Sequence, residues 1–398
     1  MPSVRPETVS HVRAIRRDLH QHPELGYQEM RTRGIVEREL TDLGVAYVGG
    51  VGQTGVVGYL PASAPSPETK TVALRADMDA LPIAEETGLP YASVHPGVMH
   101  ACGHDGHTAI LLGTVRELVG RDRPNHTILL FQPAEEGGAG GKALTDAGAL
   151  RGEIIGTPVD AVFGLHGNPH IAAGSVRTRP GTLMASAAQF RVAVHGKGAH
   201  AAAPHTGIDP IVVASHIVTA LQTVASRNVD PLESVVVTIG QFHAGVAHNV
   251  IPERADLHGT VRTLNEATER IALPRIEALV RDVAQAFGAR AEISWSDNPY
   301  PATINDAVLA DHVLATAAAT LGADRSALEP VPVMGGEDFS FYGREKPACF
   351  YWLGLLPPGT ESLPNLHAPR FDFNDEALEP GIAMMLALAT SPLPNRPA

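Results

Sequence analysis

Residues 128–141 read ILLFQPAEEGGAGG. Four apolar residues in a row are the mark of a short strand buried on both faces, and the glycine-rich run after them breaks it. The strand ends on two adjacent carboxylates, Glu135 and Glu136. Open α/β sheets place their sites at the carboxyl ends of their strands, so this segment points to such a sheet and to its functional edge. Working outward, residues 55–60 and 71–74 read as strands separated by PASAPSPETK, and 159–165 as another. Residues 8–20, 30–43 and 108–119 have the spacing of helices with a buried face. Alternating strands and helices predict an α/β domain with a mostly parallel central sheet and helices on both faces.

The pattern changes near residue 186. Residues 189–195 alternate, with Phe190, Val192 and Val194 on one side. A helix over 208–226, strands at 234–239 and 255–261, a helix over 266–287 and a strand at 290–295 follow. That order, βαββαβ, predicts a ferredoxin-like unit inserted into the first domain. Thr263 and Glu266 read as a capping box for its second helix, and Pro274 as a point where that helix bends. The expected division is a discontinuous domain of residues 1–185 and 298–398 around an insert of 186–297. The return runs through SDNPYPATIND, followed by a helix at 307–319, a strand at 349–353 and a closing helix at 376–388.

Bulk composition narrows the function. The chain has 398 residues, enough for two or three domains, with 30 basic against 43 acidic residues, a net charge of −13. An acidic chain is a poor partner for nucleic acid. Two cysteines make no disulfide scaffold and suggest a reducing compartment, hence a cytoplasmic location. No apolar run is long enough for a membrane span, and MPSVRPETVS lacks the apolar core of a signal peptide.

Chemistry concentrates in a few segments. MHACGHDGHTAILLG (99–113) places Cys102, His104, Asp105 and His107 on a glycine-rich turn before a helix. Thiolate, imidazole and carboxylate all bind borderline divalent ions, although a capped helix with solvated histidines would read the same way. In the Glu135–Glu136 pair one carboxylate can hold a metal while the other faces a reacting water as general base. His166 falls at the end of the strand in VFGLHGNP. Asp77 and Asp79 follow the strand in LRADMDALPI, where one could orient a ligand imidazole. His367 lies in NLHAPRFDF. In the insert, GKGAHAAAPH carries His200 and His205, HNVIP carries Asn249, and Arg262 ends a strand. A histidine, an amide and a guanidinium suit a carbonyl oxygen and a carboxylate.

Taken together and in order, HQHPELGYQE, LRADMDALPI, MHACGHDGH, FQPAEEGG, GLHGNP, GKGAHAAAPH, HNVIP, GGEDFSFY and HAPRFDFND resemble one family. It is the aminoacylase and carboxypeptidase group of dinuclear metallopeptidases, in the branch of hippurate hydrolases, N-acyl-L-amino-acid amidohydrolases and auxin-conjugate hydrolases. The runs span residues 20–375. The resemblance implies a metallopeptidase-type catalytic domain with an inserted lid and dimerisation domain. It implies five metal ligands, Cys102, His104, Glu136, His166 and His367, with Cys102 bridging two divalent ions of zinc, manganese, cobalt or nickel. It makes Glu135 the general base and His200 the group that polarises the scissile carbonyl, in its own or the partner subunit. Asn249, Arg262 and Gly336 would bind substrate. Asp79 matches the aspartate that orients a ligand histidine, although the wider family has a histidine where this chain has Asp77. Many relatives also carry an acidic residue near Ala188.

The expected activity is hydrolysis of the amide bond of a small N-acyl-L-amino acid by a homodimer or homotetramer. A dipeptidase or carboxypeptidase using the same chemistry is the alternative within that class. Outside it stand a catalytically silent binding protein and a cysteine hydrolase built on Cys102.

Overall fold

The computed structural model describes residues 4–395, and the chain divides into two compact units. The first comprises the chain up to Leu183, Ile304–Val331 and the chain from Asp338. Its eight-stranded sheet runs, edge to edge, Ala46–Val51, Gly55–Leu60, His126–Gln132, Thr71–Asp77, Ala161–Ala172, Ala348–Leu356, Val176–Thr178 and Ser326–Leu328. The four strands from His126–Gln132 to Ala348–Leu356 are mutually parallel. Every residue of Thr71–Asp77 is buried, as a strand covered on both faces requires. Side chains such as Phe131, Phe163 and Leu74 are fully buried, each contributing roughly 1.5–3 kcal/mol. The expectation of an α/β domain with a mostly parallel sheet holds.

Register sets where the strands stop. Asp77 lies opposite Gln132, so the two central strands end level, and the chain leaves them toward Asp79 and toward Glu135. His166 is not the end of its strand, as its sequence suggested. It lies inside the twelve-residue strand Ala161–Ala172. Pairing with Thr71–Asp77 stops at Gly164, however, so His166 stands just past that neighbour's edge with Trp352 opposite on the other side.

The helix expected from residue 108 begins at His104. Its N-cap is Gly103 at φ +89°, a left-handed conformation that glycine adopts without penalty. A Cβ there would also come within 3.1 Å of the Phe373 ring. The helix His104–Val119 is buried on almost every face and packs against Pro6–Gln21 and Leu378–Thr390.

The second unit comprises Met184–Thr303 and Pro332–Glu337. Its four-stranded antiparallel sheet runs Val235–Ala244, Arg254–Thr263, Ala188–His195, Arg290–Trp295. Helices Pro210–Thr223 and Glu266–Ala286 pack with it around Phe190, Val192, Val194, Ile217 and Ile276. Ala188 is part of this core. The helix Glu266–Ala286 runs through Pro274, and its cap is Asn265, whose side chain accepts from the Thr268 amide at 2.8 Å. The Thr263–Glu266 capping box therefore does not form: Thr263 is engaged in the strand, bonded through its backbone to Ser186. The short segment Pro332–Glu337 joins this unit because the Ala185 amide donates to the carbonyls of Val333 and Gly335. The run GGEDFSFY is thus split, with Gly336 in the second unit and Asp338 in the first.

Candidate metal centre

Asp79 sits two residues past the end of Thr71–Asp77 and is buried. Its Oδ1 accepts the backbone N–H of Glu135 at 3.0 Å, and its Oδ2 accepts that of Glu136 at 2.9 Å. The same carboxylate faces His104 Nδ1 at 3.2 Å, and the Asp79 carbonyl lies 2.9 Å from that nitrogen. In the neutral, metal-binding form of the ring His104 Nδ1 is therefore the donor, and Nε2 is the lone-pair nitrogen. That Nε2 is buried and has no hydrogen-bond partner among the described residues. A buried imidazole lone pair without a donor is the condition a metal ion satisfies.

Four further donors surround it. The ligand atoms of Cys102, His104 and His166 lie within 4.8 Å of one another, and so do those of Cys102, Glu136 and His367. Cys102 is common to both triads. Its Sγ is 3.3 Å from His166 Nε2, while His166 Nδ1 donates to the Gly167 carbonyl at 2.9 Å. His367 Nε2 is 3.1 Å from Glu136 Oε1. His367 is exposed and holds a left-handed backbone conformation, φ +63°. Its amide is tied at 2.8 Å to the carbonyl of Ala101, the residue immediately before Cys102. The structure thus brings Cys102, His104, Glu136, His166, His367, Glu135 and Asp79 together. Nitrogen, sulfur and oxygen donors in this mixture suit a borderline divalent ion.

Electrostatics favours a cation here. Burial alone would lower the His104 pKa, but the charges of Asp77 and Asp79 outweigh it and raise it to about 10, so without a cation Nε2, 3.6 Å from Asp77 Oδ2, holds a second proton that a bound metal would displace. Burial pushes the Cys102 thiol well up, and Glu136, Glu135 and Asp77 push it further. Without a cation that sulfur is held as a neutral thiol, the opposite of an activated nucleophile. Burial, then neighbouring His107, presses His166 well below its ordinary value and keeps its imidazole neutral. A neutral buried thiol weighs against the cysteine-hydrolase reading.

Several supporting residues carried no role in the sequence. Glu29 is buried, and its Oε1 accepts the amide of Ala134, the positive-φ residue just before the carboxylate pair. Tyr27 donates to the Gly138 carbonyl at 2.7 Å. The run HQHPELGYQE therefore braces the turn that carries Glu135 and Glu136. Asp338 accepts from Gln132, Arg75 and the Gly141 amide, and its own amide donates to Glu135 Oε1 at 3.4 Å. These ties are long-range, and only their residence in quoted motifs marked them.

In the second unit, His200 lies on the two-residue strand Ala199–His200, paired with Val250–Ile251. The Ala202 amide donates to His200 Nδ1 at 3.0 Å, so the neutral ring carries its proton on exposed Nε2. The Asn249 carbonyl accepts from the Ala201 amide, which puts Asn249 beside His200. Arg262 is half-buried, has no ion-pair partner among the described residues, and has its pKa lowered by burial. Gly336 lies against it: a Cβ at Gly336 would come 2.8 Å from Arg262 Nη1.

A parallel α/β sheet with soft and hard metal donors gathered at one strand edge is the architecture of a metallohydrolase. The profile of peptidase family M20/M25/M40 matches residues 73–391, and the chain belongs to that family. It is 40% identical over 92% of its length to an N-acetyl-L-cysteine deacetylase of Bacillus subtilis, covering 84% of that protein. It is 39% identical over 94% of its length to the IAA-amino acid hydrolase ILR1-like 5 of Arabidopsis thaliana, covering 85% of it. A solved Bacillus subtilis structure, described as a dinuclear metal binding peptidase from the M20 family, superposes with a TM-score of 0.80 at 33% identity, over 97% of this chain and 98% of that one. The chain is an amidohydrolase of this family. Among the described residues no helix is long and apolar enough to cross a membrane.

Proposed function

We propose that this enzyme hydrolyses the amide bond of N-acyl-L-amino acids, hippurate-like or related aryl conjugates, releasing a carboxylic acid and a free amino acid. The observation that carries the reading is the Asp79 clamp. One carboxylate fixes the backbone of both Glu135 and Glu136 and the tautomer of His104, whose buried Nε2 is left open. In this reading Cys102, His104, Glu136, His166 and His367 would hold two divalent ions, Cys102 being the donor common to both groupings. Bound there, the ions lower the pKa of water and polarise a carbonyl. Glu135 is the base that takes the proton of the attacking water and returns it to the departing amine. His200 offers its Nε2–H to the carbonyl oxygen as charge develops. Asn249 and Arg262 receive the substrate's carbonyl and carboxylate, and Gly336 leaves room beside the guanidinium.

The relatives named for N-acetyl-L-cysteine and IAA-amino acids support an N-acylated amino acid as the substrate class. The inserted unit would serve as lid and dimerisation domain of a homodimer or homotetramer. Two free, buried cysteines suit a reducing, cytoplasmic setting. The test is a panel of benzoyl-, acetyl- and indoleacetyl-amino acids beside free dipeptides, with and without a chelator. Chelator-sensitive cleavage of the acylated set is expected. Cleavage of the dipeptides alone would move the enzyme to the peptidase alternative.

A further inference from the structure

His107 looks at first like another ligand. It lies one turn beyond His104 on the same helix, with ring centroids 5.5 Å from His104 and 4.7 Å from His166. A ring nitrogen of His107, one of His104 and a carboxylate oxygen of Asp77 cluster closely enough to hold an ion. The hydrogen bonds contradict that use. The Gly167 amide donates to His107 Nε2 at 2.9 Å, which occupies the lone pair a metal would need. Nδ1 must then carry the proton, and it meets Asp77 Oδ1 at 2.6 Å. Arg75 holds the other Asp77 oxygen at 2.6 Å, so the carboxylate is fixed from both sides.

The place of Gly167 explains why such a bond exists. Strand Ala161–Ala172 loses its neighbour Thr71–Asp77 after Gly164. From there on, the amides on that side have no ladder partner, and a buried amide without an acceptor is costly. His107, anchored on Asp77 at the very end of the missing strand, takes the ladder's place. The carbonyl of the same Gly167 accepts from His166 Nδ1 and thereby leaves His166 Nε2 turned to Cys102 Sγ.

We propose that His107 is a positioning residue. Through the Gly167 peptide it sets the ring orientation of His166, and Asp77 holds the His107 proton on Nδ1, the tautomer whose Nε2 accepts the Gly167 amide. The inference rests on the reading of His166 as a metal ligand.

The test is cobalt titration of the stripped chain, followed by visible spectroscopy and by equilibrium dialysis with elemental analysis. Two variants separate the hydrogen bonds. In His107→Gln the side-chain oxygen reaches the position of Nε2 and can accept the Gly167 amide. In His107→Asn the amide group reaches only the position of Nδ1, so the Asp77 contact survives and the Gly167 contact is lost. For His107→Asn one of two cobalt equivalents is expected to weaken about 10–100-fold, with the other and both equivalents of His107→Gln within about threefold of wild type. Near-UV circular dichroism of the metal-free proteins establishes that all three share one fold. Unchanged binding in His107→Asn, or equal weakening in both variants, would overturn the proposal. Should His107→Asn not fold, weakening of either equivalent by about tenfold or more in His107→Gln overturns it. Failure of the wild type to bind cobalt at all would instead overturn the metal-centre reading and this proposal with it.

Discussion

Asp79 accepts two backbone amides from a segment 56 positions away while facing His104. Its position in LRADMDALPI suggested an orienting carboxylate, but not that it also fixes the Glu135–Glu136 backbone. That bond depends on where two parallel strands end, which no local pattern encodes. The carboxylate pair itself was legible, because it falls at the carboxyl end of a buried strand, where open α/β sheets place their sites. The division of labour proposed for them predicts how Glu135 fails. Glu136 contacts His367 and belongs to the Cys102 triad, whereas Glu135 is buried, groups with His104 and Glu136, and accepts from the Asp338 amide. Glu135→Gln should therefore keep its metal by elemental analysis while kcat falls about 10²–10⁴-fold. Loss of both ions in that variant would show that Glu135 is a ligand instead.

At the scale of elements, the turn after Glu136 has the least freedom. A Cβ on Gly140 would lie 1.6 Å from the Pro133 carbonyl oxygen, and backbone cannot step aside as a flexible side chain can. Gly140→Ala should force the turn open, cost about 1–3 kcal/mol in urea unfolding, and weaken metal binding with it. Wild-type metal content and stability would show that the turn is adaptable. The strands and helices of both units were largely readable from periodicity, and so was the βαββαβ order. Their ends were less so. The helix carrying His104 begins four residues before its apolar pattern because Gly103 permits a left-handed cap. Strand Ala161–Ala172 runs on past His166 because Ala348–Leu356 keeps pairing with it after Thr71–Asp77 has stopped. Both are consequences of neighbours distant in sequence.

At the scale of the whole molecule, one buried charge network fastens the first helix beneath the ligand loop. Arg16 Nε and His20 Nδ1 both meet Asp105 Oδ2, at 2.9 and 2.8 Å, and His20 Nε2 lies 3.3 Å from Glu85. Burial alone would lower the His20 pKa, but its bonds to Asp105 and Glu85 raise it from 6.5 to about 9. A raised histidine stabilises the fold fully below its unfolded value and loses that contribution as pH rises through the folded value. Metal-free protein should therefore lose stability between pH 6.5 and about 9, by on the order of 3 kcal/mol. Because His104 is raised as well and adds to the same slope, the urea midpoint of His20→Gln should fall less steeply over that range, and an identical slope in both proteins would exclude His20 as a source. The pairing was not legible beforehand: His20 opens the run HQHPELGYQE and Asp105 lies in MHACGHDGH, but nothing in either run joins them to each other or to Arg16.

The five ligand candidates come from four separate segments, and their convergence on Cys102 underlies the function proposed for the whole chain. The most direct test is hydrolysis of an N-acyl-L-amino acid by the stripped enzyme as a divalent ion is returned in measured equivalents. Activity should be absent without metal and should reach its plateau with two ions bound per chain. Full activity that persists in chelator, with no metal detectable in the protein, would contradict the paired metal centre.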